Sequence, residues 1–278
     1  MKGQAVLAAS AEMSLFRQLL TSRAGMTFGD SRHAFLEGRV RGRMTKVGAR
    51  SLYEYYRMIA APTGARELQE LVDEVSINET SFFRIPSHFE FLATTALPAR
   101  LRVRREARSK RLRIWSAGCS TGQEVYSIAM VYLETAVFHE SWDLSIVGSD
   151  ISAKALAQAR AAAYDKRQMD EMTPARRQMF FDRKGERHVV RSWVKKGIEF
   201  MRGNILDGPP WNDVDVVFCR NVMIYFDPPH QQSLIGRIAE ALAPGGYLFL
   251  GHTETLRGMS EAFRMVSLRP GIAYQRIA

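Results

Sequence analysis

Beyond residue 110, short apolar runs alternate with segments in which apolar residues recur every three or four positions. The runs are "LRIWSAG" from Leu112, "LSIVGSD" from Leu144, "IEFMRGN" from Ile198, "VDVVFCRN" from Val214 and "YLFLGH" from Tyr247. Apolar strands that alternate with helices predict a parallel α/β sheet. Two further runs near the end, "FRMVSL" and "AYQRI", predict antiparallel strands at one edge of it.

The first 75 residues predict helices only. Ser14 and Asp30 are each expected to cap a helix, and the helix after Asp30 is basic. "SLYE" from Ser51 has capping-box spacing. A further helix is expected from Ala65 to Val75, because its leucines and valines share one face.

Between these regions lies a polar and aromatic connector, "SINETSFFRIPSHFEFL", whose "SHFE" is expected to be a second capping box. We therefore predict a helical domain over residues 1–76, a connector over 77–87 and a sheet domain over 88–278. Strand and helix do not alternate cleanly between residues 164 and 198. We interpret about 168–197 as an insertion, with a small helix near Pro174 and a hairpin in "GERHVVRSWV".

Composition adds a charge argument. The chain has 278 residues and a net charge of +10, but only two cysteines and no run of 18 apolar residues. A disulfide framework, a zinc site and a membrane span are therefore not expected, and a cytoplasmic location is. Basic residues cluster in residues 30–50 and 100–113. Such clusters favour an acidic partner surface or nucleic acid, although solvated arginine-rich faces are as common.

"RIWSAGCSTGQEVYSIAM" predicts a strand, a glycine turn and a helix. Gly118 and Gly122 are spaced G-x-x-x-G, which differs from the dinucleotide fingerprint. Asp150 ends the next strand, where its carboxylate can accept hydrogen bonds from ribose hydroxyls or cap the following helix. Glu124 lies at the start of the helix that follows the glycine turn, where its carboxylate would repel a phosphate group. S-adenosylmethionine, which has an ammonium and a sulfonium but no phosphate, is the better candidate.

Six motifs together resemble the chemotaxis-receptor glutamate methyltransferases, the CheR family. They are "NETSFFR", "WSAGCSTGQEVYSIAM", "GSDIS", "GNI", "CRNVMIYFD" and "GGYLFLGHTE". The resemblance spans nearly the whole chain. It implies a class I S-adenosylmethionine-dependent methyltransferase with a Rossmann-like sheet, a small all-helical N-terminal domain and a small β insertion. The implied reaction is methyl esterification of receptor glutamates, with S-adenosylhomocysteine as product.

The resemblance also implies roles for individual residues. Arg84 and Tyr225 match the pair implicated in catalysis, although without the resemblance they would be read as a surface ion-pair residue and a half-buried aromatic. The implied cofactor-binding residues are Asn78, Thr80, Arg84, Gly118, Glu124, Asp150, Asn204, Ile205, Arg220 and Asn221. An acidic receptor helical bundle is the implied partner. The basic helix is expected to dock on it through Arg32, Arg39, Arg41, Arg43 and Lys46.

One departure from the family concerns the insertion. Its loop "RKGERHVV" is short and lacks a glycine pair, so tethering to a receptor tail peptide is doubtful. We expect such a peptide to bind weakly or not at all, and micromolar binding in calorimetry would contradict this.

Two alternatives remain open on the sequence. One is a nucleic-acid methyltransferase, because "DPPH" from Asp227 resembles the D-P-P-Y motif of amino-methylating DNA enzymes and Cys219 could match a cytosine-methylating nucleophile. Both matches are poor, since "DPPH" ends in His instead of an aromatic residue, and Cys219 follows Phe218 instead of Pro within an apolar strand that favours a buried core thiol. A non-catalytic adaptor that senses S-adenosylmethionine is the other, since a fold alone does not prove activity. The sequence leaves open which receptors and glutamates are methylated, the oligomeric state and any regulation by product.

Overall fold

A computed structural model describes residues 2–136, 142–268 and 271–277, with side chains from residue 11 onward. Four helices come first: α1 (Lys2–Ala24), α2 (His33–Val47), α3 (Leu52–Ala60) and α4 (Ala65–Val75). Their apolar faces enclose a core of their own, with Phe16, Leu36 and Tyr55 fully buried. No helix in these ranges is long and apolar enough to cross a bilayer.

The remaining chain forms a seven-stranded sheet in the order β6-β2-β1-β7-β8-β10-β9. Its strands are β1 (Arg111–Ala117), β2 (Asp143–Asp150), β6 (Ile198–Arg202), β7 (Val214–Cys219), β8 (Leu242–Leu250), β9 (Phe263–Leu268) and β10 (Gly271–Arg276). The first five in spatial order are parallel, and β10 pairs antiparallel with both β8 and β9. The predicted parallel sheet and its antiparallel edge are confirmed.

Helices cover both faces of this sheet and bury two apolar clusters against it. They are α5 (Pro86–Phe91), α6 (Leu97–Glu106), α7 (Gln123–Ala136), α8 (Ala153–Ala161) and α10 (Pro228–Ala241). Five residues between α5 and α6, Leu92–Ala96, form a π-helical turn. Apolar and polar residues alternate little along these strands, because helices bury both faces of the sheet.

The chain between α8 and β6 forms a small separate sheet in the order β3-β5-β4. Its strands are β3 (Ala163–Tyr164), β4 (Phe181–Lys184) and β5 (Arg187–Val190), and α9 (Pro174–Phe180) precedes β4. The predicted helix and hairpin are present. The hairpin lies earlier than expected, since "SWVK" forms a 3-10 turn after β5.

Three of the four expected caps need correction. Ser14 lies inside α1, where its hydroxyl donates to the Ala11 carbonyl at 2.6 Å, because the helix continues through the alanine-rich residues before it. Asp30 opens a 3-10 turn and accepts a hydrogen bond from Arg17, while α2 begins at His33 without a side-chain cap. Ser87 is buried inside α5. Ser51 caps α3 as predicted, accepting from the Glu54 amide.

Candidate active site

A cavity of about 960 Å³, counted out to its open mouth, lies at the carboxyl ends of β1, β2, β6 and β7. The chain runs from β1 outward to β2 and β6, then returns to β7 on the other side of β1. Such a reversal of strand order opens a crevice between the loops that follow neighbouring strands, and ligands of open α/β sheets bind there. The connector and the loop before α2 close the remaining walls.

The two glycines of the turn after β1 have different tasks. Gly118 has φ +75° and lines the cavity, and a Cβ there would lie 3.1 Å from the Val222 side chain. Gly122 has φ +92° and instead lets α8 approach, because a Cβ there would lie 2.9 Å from the Cβ of Ala159. Gly118 therefore serves the cavity, whereas Gly122 serves the packing of α8 and is not among the cavity-lining residues.

Asp150 ends β2 as predicted, and its buried carboxylate accepts two backbone hydrogen bonds. The Ser120 amide donates to Oδ2 at 2.7 Å and the Ser152 amide donates to Oδ1 at 2.9 Å. The cap of α8 is Ser152, whose hydroxyl accepts from the Ala155 amide. Burial raises the pKa of Asp150, and the amides oppose that rise. Asp150 lines the cavity, and a carboxylate oxygen that accepts one hydrogen bond can accept another, which suits a pair of hydroxyl donors.

Glu124, in the first turn of α7, is held between β1 and β7. Its Oε1 accepts from the Ser116 hydroxyl at 2.7 Å, and its Oε2 lies 3.4 Å from Nε of Arg220. Burial raises the pKa of Glu124, while Arg220 and Ser116 lower it. Arg220 is buried too, yet its Nε and Nη1 have no hydrogen-bond partner among the described residues. A buried guanidinium with unused donors is costly unless a ligand completes it.

The connector crosses the cavity between the helices and the sheet. The Ser120 hydroxyl donates to the Asn78 carbonyl at 2.9 Å, and the Phe83 amide donates to the Ser127 hydroxyl at 3.0 Å. Arg220 Nη2 donates to the Arg84 carbonyl. These bonds hold Asn78, Thr80 and Arg84 in the cavity wall.

Tyr225 follows β7 in a 3-10 turn, Met223–Tyr225, that Glu254 holds. The Glu254 carboxylate accepts from the amides of Gly251, Asn221, Val222 and Met223, at 2.6 to 3.0 Å. Asn221, at φ +58°, is thereby kept in a left-handed conformation beside the cavity. Burial raises the pKa of Tyr225, with Arg32 and Arg84 opposing. Its hydroxyl is therefore protonated at neutral pH and available as a donor.

All eleven residues singled out from the sequence line this one cavity. They are Asn78, Thr80, Arg84, Gly118, Glu124, Asp150, Asn204, Ile205, Arg220, Asn221 and Tyr225. Sequence reasoning missed Glu254, which was quoted only within "GGYLFLGHTE". It also missed the wall made by residues 24–28 and Arg32, because their contact with Tyr225 joins positions 198 residues apart.

The expected docking helix is corrected in two places. Arg43 is only 11% exposed and pairs with Glu67 and Glu70 of α4, so it is unavailable to a partner. Arg32 lies in the turn before α2 rather than in the helix, and its guanidinium stacks on Tyr225. Arg39, Arg41 and Lys46 remain on the exposed face, paired with Glu74 or Glu37.

The features that suggested a nucleic-acid enzyme have structural explanations. Asp227 caps α10, accepting from the amide of His230, and the two prolines form the first turn of that helix. None of these four residues lines the cavity. Cys219 is fully buried in β7, and burial raises the pKa of its thiol well above the usual range, so it is a poor nucleophile.

The residues of the cavity fit S-adenosylmethionine. Asp150 offers acceptors for the ribose hydroxyls, and Glu124 offers a carboxylate to an ammonium group. The unpaired donors of Arg220 and the unpaired Oδ1 of Asn221 are buried polar atoms that a polar ligand would satisfy. The fold and this site define a class I S-adenosylmethionine-dependent methyltransferase.

Comparison with known proteins identifies the family. The model of the CheR methyltransferase S-adenosylmethionine-binding domain matches residues 78–272, and that of the CheR all-alpha domain matches residues 11–76. The chain belongs to the CheR methyltransferase family. The predicted family, methyltransferase activity and use of S-adenosylmethionine are confirmed.

Three similar proteins are chemotaxis protein methyltransferases, and each is matched over most of its length. Chemotaxis protein methyltransferase 1 of Pseudomonas aeruginosa is 36% identical over 275 residues, which cover 96% of this chain and 98% of that protein. The chemotaxis protein methyltransferase of Vibrio parahaemolyticus is 38% identical over 267 residues, covering 94% of each. That of Escherichia coli is 32% identical over 259 residues, covering 89% and 85%.

Proposed function

We propose that this methyltransferase esterifies glutamate side chains in the cytoplasmic helical bundle of chemoreceptors, in chemotactic adaptation. The observation that carries the proposal is the convergence of Arg84 and Tyr225 on one cavity in a chain of this family. A glutamate has a pKa of about 4.3, so the acceptor is already anionic at neutral pH. The enzyme needs no general base. It needs groups that place a carboxylate oxygen accurately.

S-adenosylmethionine, when bound, supplies an electrophilic methyl group on a sulfonium. Asp150 would accept from its ribose, Glu124 would receive its ammonium group, and Asn204 and Ile205 would border its adenine. The side-chain oxygen Oδ1 of Asn204 already accepts from the Leu206 amide at 3.0 Å, so the side-chain NH₂ group is the part of this amide that can donate to a ligand. Asn78 and Thr80 would close the wall, and Gly118, Arg220 and Asn221 would border the ligand between β1 and β7.

Tyr225 and Arg84 would act on the acceptor. The protonated Tyr225 hydroxyl can donate to one carboxylate oxygen and leave the other directed at the methyl carbon. The Arg84 guanidinium uses Nη1 to donate to the Glu79 carbonyl at 3.1 Å and keeps its other donors. Binding the carboxylate too strongly would stabilise the ground state and slow the transfer, so a neutral donor beside a partly engaged guanidinium suits the step.

Docking would use the exposed face of α2. Arg39, Arg41 and Lys46 pair with Glu37 and Glu74 at the surface, and such pairs contribute at most about 1 kcal/mol. A denser acidic surface on a receptor bundle can therefore compete for them. We expect the apparent KM for the receptor to rise with salt, because exposed charges are screened within about 8 Å at physiological ionic strength.

The test uses S-adenosylmethionine labelled with tritium in the methyl group, with an acidic receptor fragment in one tube and total RNA in another. Mild alkali should release volatile labelled methanol from the receptor, since a carboxyl methyl ester is alkali-labile. Alkali-stable label in RNA, or no label with ligand binding intact, would contradict the proposal.

Replacing Tyr225 with Phe should lower turnover about tenfold to a hundredfold, because one donor to a charged acceptor is lost. Affinity for S-adenosylhomocysteine should change little. Tyr53→Phe, at an exposed tyrosine of α3, is the matched control and should behave as wild type. Unchanged turnover in Tyr225→Phe would remove this residue from the reaction.

A further inference from the structure

Arg32 has a different environment from the other basic residues of its region. It is the last residue of the 3-10 turn Asp30–Arg32, is half-buried and lines the cavity. The central carbon of its guanidinium lies 4.8 Å from the centre of the Tyr225 ring. Arg32 therefore lies on the acceptor side of the cavity, which is the part that contains Tyr225 and Arg84. It does not lie on the exposed face of α2 that would dock on a receptor.

The position of Arg32 is set by contacts between the helical region and the turn that carries Tyr225. The amide and the hydroxyl of Thr27 both donate to the Tyr225 carbonyl, each at 2.8 Å. Gly25, at φ +72°, packs so closely on Leu206 that a Cβ would lie 2.3 Å from it. Only a few residues separate these anchors from Arg32, so its guanidinium is held near Tyr225.

Among the described residues, no carboxylate forms an ion pair with Arg32. Of the five basic residues considered for docking, the other four have acidic partners and Arg32 has none within the described ranges. The acids that act electrostatically on Tyr225 are Glu79, which is exposed, and Glu254, whose oxygens already accept four amide hydrogen bonds. The acceptor side therefore presents positive charge from Arg32 and Arg84 together.

We propose that Arg32 binds the substrate carboxylate at the cavity mouth and, together with Arg84, selects an anionic side chain and delivers it to Tyr225. This inference rests on the proposed function, because it assigns a residue for the acceptor of that same reaction. A guanidinium binds a carboxylate by charge-assisted hydrogen bonds, and a carboxamide loses the charge contribution. Arg32 thus favours glutamate over glutamine in the site, whereas Arg39, Arg41 and Lys46 act only on docking.

The experiment compares variants in the receptor-labelling assay. Arg32→Met keeps an apolar chain against the Tyr225 ring but removes the charge, and Arg32→Lys restores a cation. We expect Arg32→Met to lower kcat/KM for the receptor fragment by about 10- to 100-fold, at low and at high salt alike. Arg32→Lys should recover most of that loss. Affinity for S-adenosylhomocysteine and the thermal midpoint should stay at wild-type values in both.

Two further variants separate this role from docking. Arg41→Gln, on the exposed face of α2, should raise KM at low salt only. Arg57→Gln, an exposed arginine of α3 outside both surfaces, makes the same change of charge and should match wild type.

The proposal is overturned if Arg32→Met keeps kcat/KM within twofold of wild type. It is also overturned if Arg32→Met loses S-adenosylhomocysteine affinity in proportion, behaves like Arg41→Gln, or is not improved on by Arg32→Lys. If wild type itself leaves no alkali-labile label on the receptor, the proposed function fails instead, so the two failures are distinguishable.

Discussion

At each end of the parallel sheet, arginine is buried against a carboxylate. Only at one end do all the buried charged groups have hydrogen-bond partners. At the amino ends of the strands, Asp215 accepts from Arg100, Arg104 and the Arg113 amide, at 2.8 to 3.1 Å. At the carboxyl ends, Nε of Arg220 lies 3.4 Å from Oε2 of Glu124, and neither Nε nor Nη1 has a hydrogen-bond partner among the described residues.

The comparison shows how to tell a structural ion cluster from a binding site. A buried charge whose donors and acceptors are all used contributes to the folded state and has nothing left to offer a ligand. A buried charged group with unused donors lowers the stability of the folded state. Such a group is expected where a bound ligand accepts the remaining hydrogen bonds. Both ends contain arginines from basic or polar stretches of sequence, so residue type alone does not distinguish them.

The largest expected effect comes from disrupting the Asp215 cluster at the amino ends of the strands. Asp215→Asn removes the carboxylate that pairs with buried Arg100 and one of the two that pair with Arg104. It should lower the free energy of unfolding by about 3–5 kcal/mol, measured by urea denaturation. Asp213→Asn is the matched control. Its carboxylate is half-exposed and pairs with Arg104 alone, so its loss should be about 1 kcal/mol or less. A change below 1 kcal/mol for Asp215→Asn would mean that the cluster does not stabilise the fold.

A smaller effect on stability is expected at the carboxyl ends of the strands, where Arg220 has unused donors. Arg220→Met should weaken S-adenosylhomocysteine binding by about 10- to 100-fold in calorimetry, because the unused donors are lost. Its free energy of unfolding should fall less than that of Asp215→Asn, since burial already lowers the pKa of Arg220 and disfavours its charge. Arg100→Met is the mirror-image control, losing stability while the folded protein keeps its affinity. The reverse pattern would contradict the comparison.

The smallest effect concerns His88, another buried group with an unpaired atom, Nδ1. Burial, then Arg220 and His252, lower the pKa of His88 to about 3. The unfolded chain takes up a proton near pH 6.5 and the folded chain does not, so stability falls as pH drops below 6.5. Between pH 7 and 5.5 this should cost about 1 kcal/mol.

Urea unfolding at the two pH values checks this, with His88→Gln expected to lose that part of the pH dependence. His252→Gln, at an exposed histidine, should retain it. Equal pH dependence in wild type and His88→Gln would show that another group is responsible.

Much of the molecule follows from the sequence. The sheet was predictable because each strand is a short apolar run bounded by helical periodicity. Of the eleven residues that line the cavity, Gly118, Glu124 and Asp150 followed from the glycine turn and the strand ends. The other eight were implied by the resemblance to the family. The antiparallel edge followed from two runs too close together for a helix between them.

What the sequence did not reveal depends on contacts between distant residues. Arg43 looks like a surface charge until α4 brings Glu67 and Glu70 against it. Asp215 is one acid within an apolar strand, and nothing near it in sequence indicates two arginines. Ser14 and Ser87 have the residue type of a cap, but the surrounding helix continues through them because packing outweighs local preference.

The two hydrogen bonds from Thr27 to the Tyr225 carbonyl have a consequence for recombination between related enzymes. A chimera joined near residue 77 would exchange more than the proposed docking helix. It would replace part of the cavity wall, including Arg32 and the Thr27 donors that hold the Tyr225 carbonyl. Crossovers at this boundary would thus change turnover and receptor preference together, and an exchange confined to the outer face of α2 would be needed to alter preference alone.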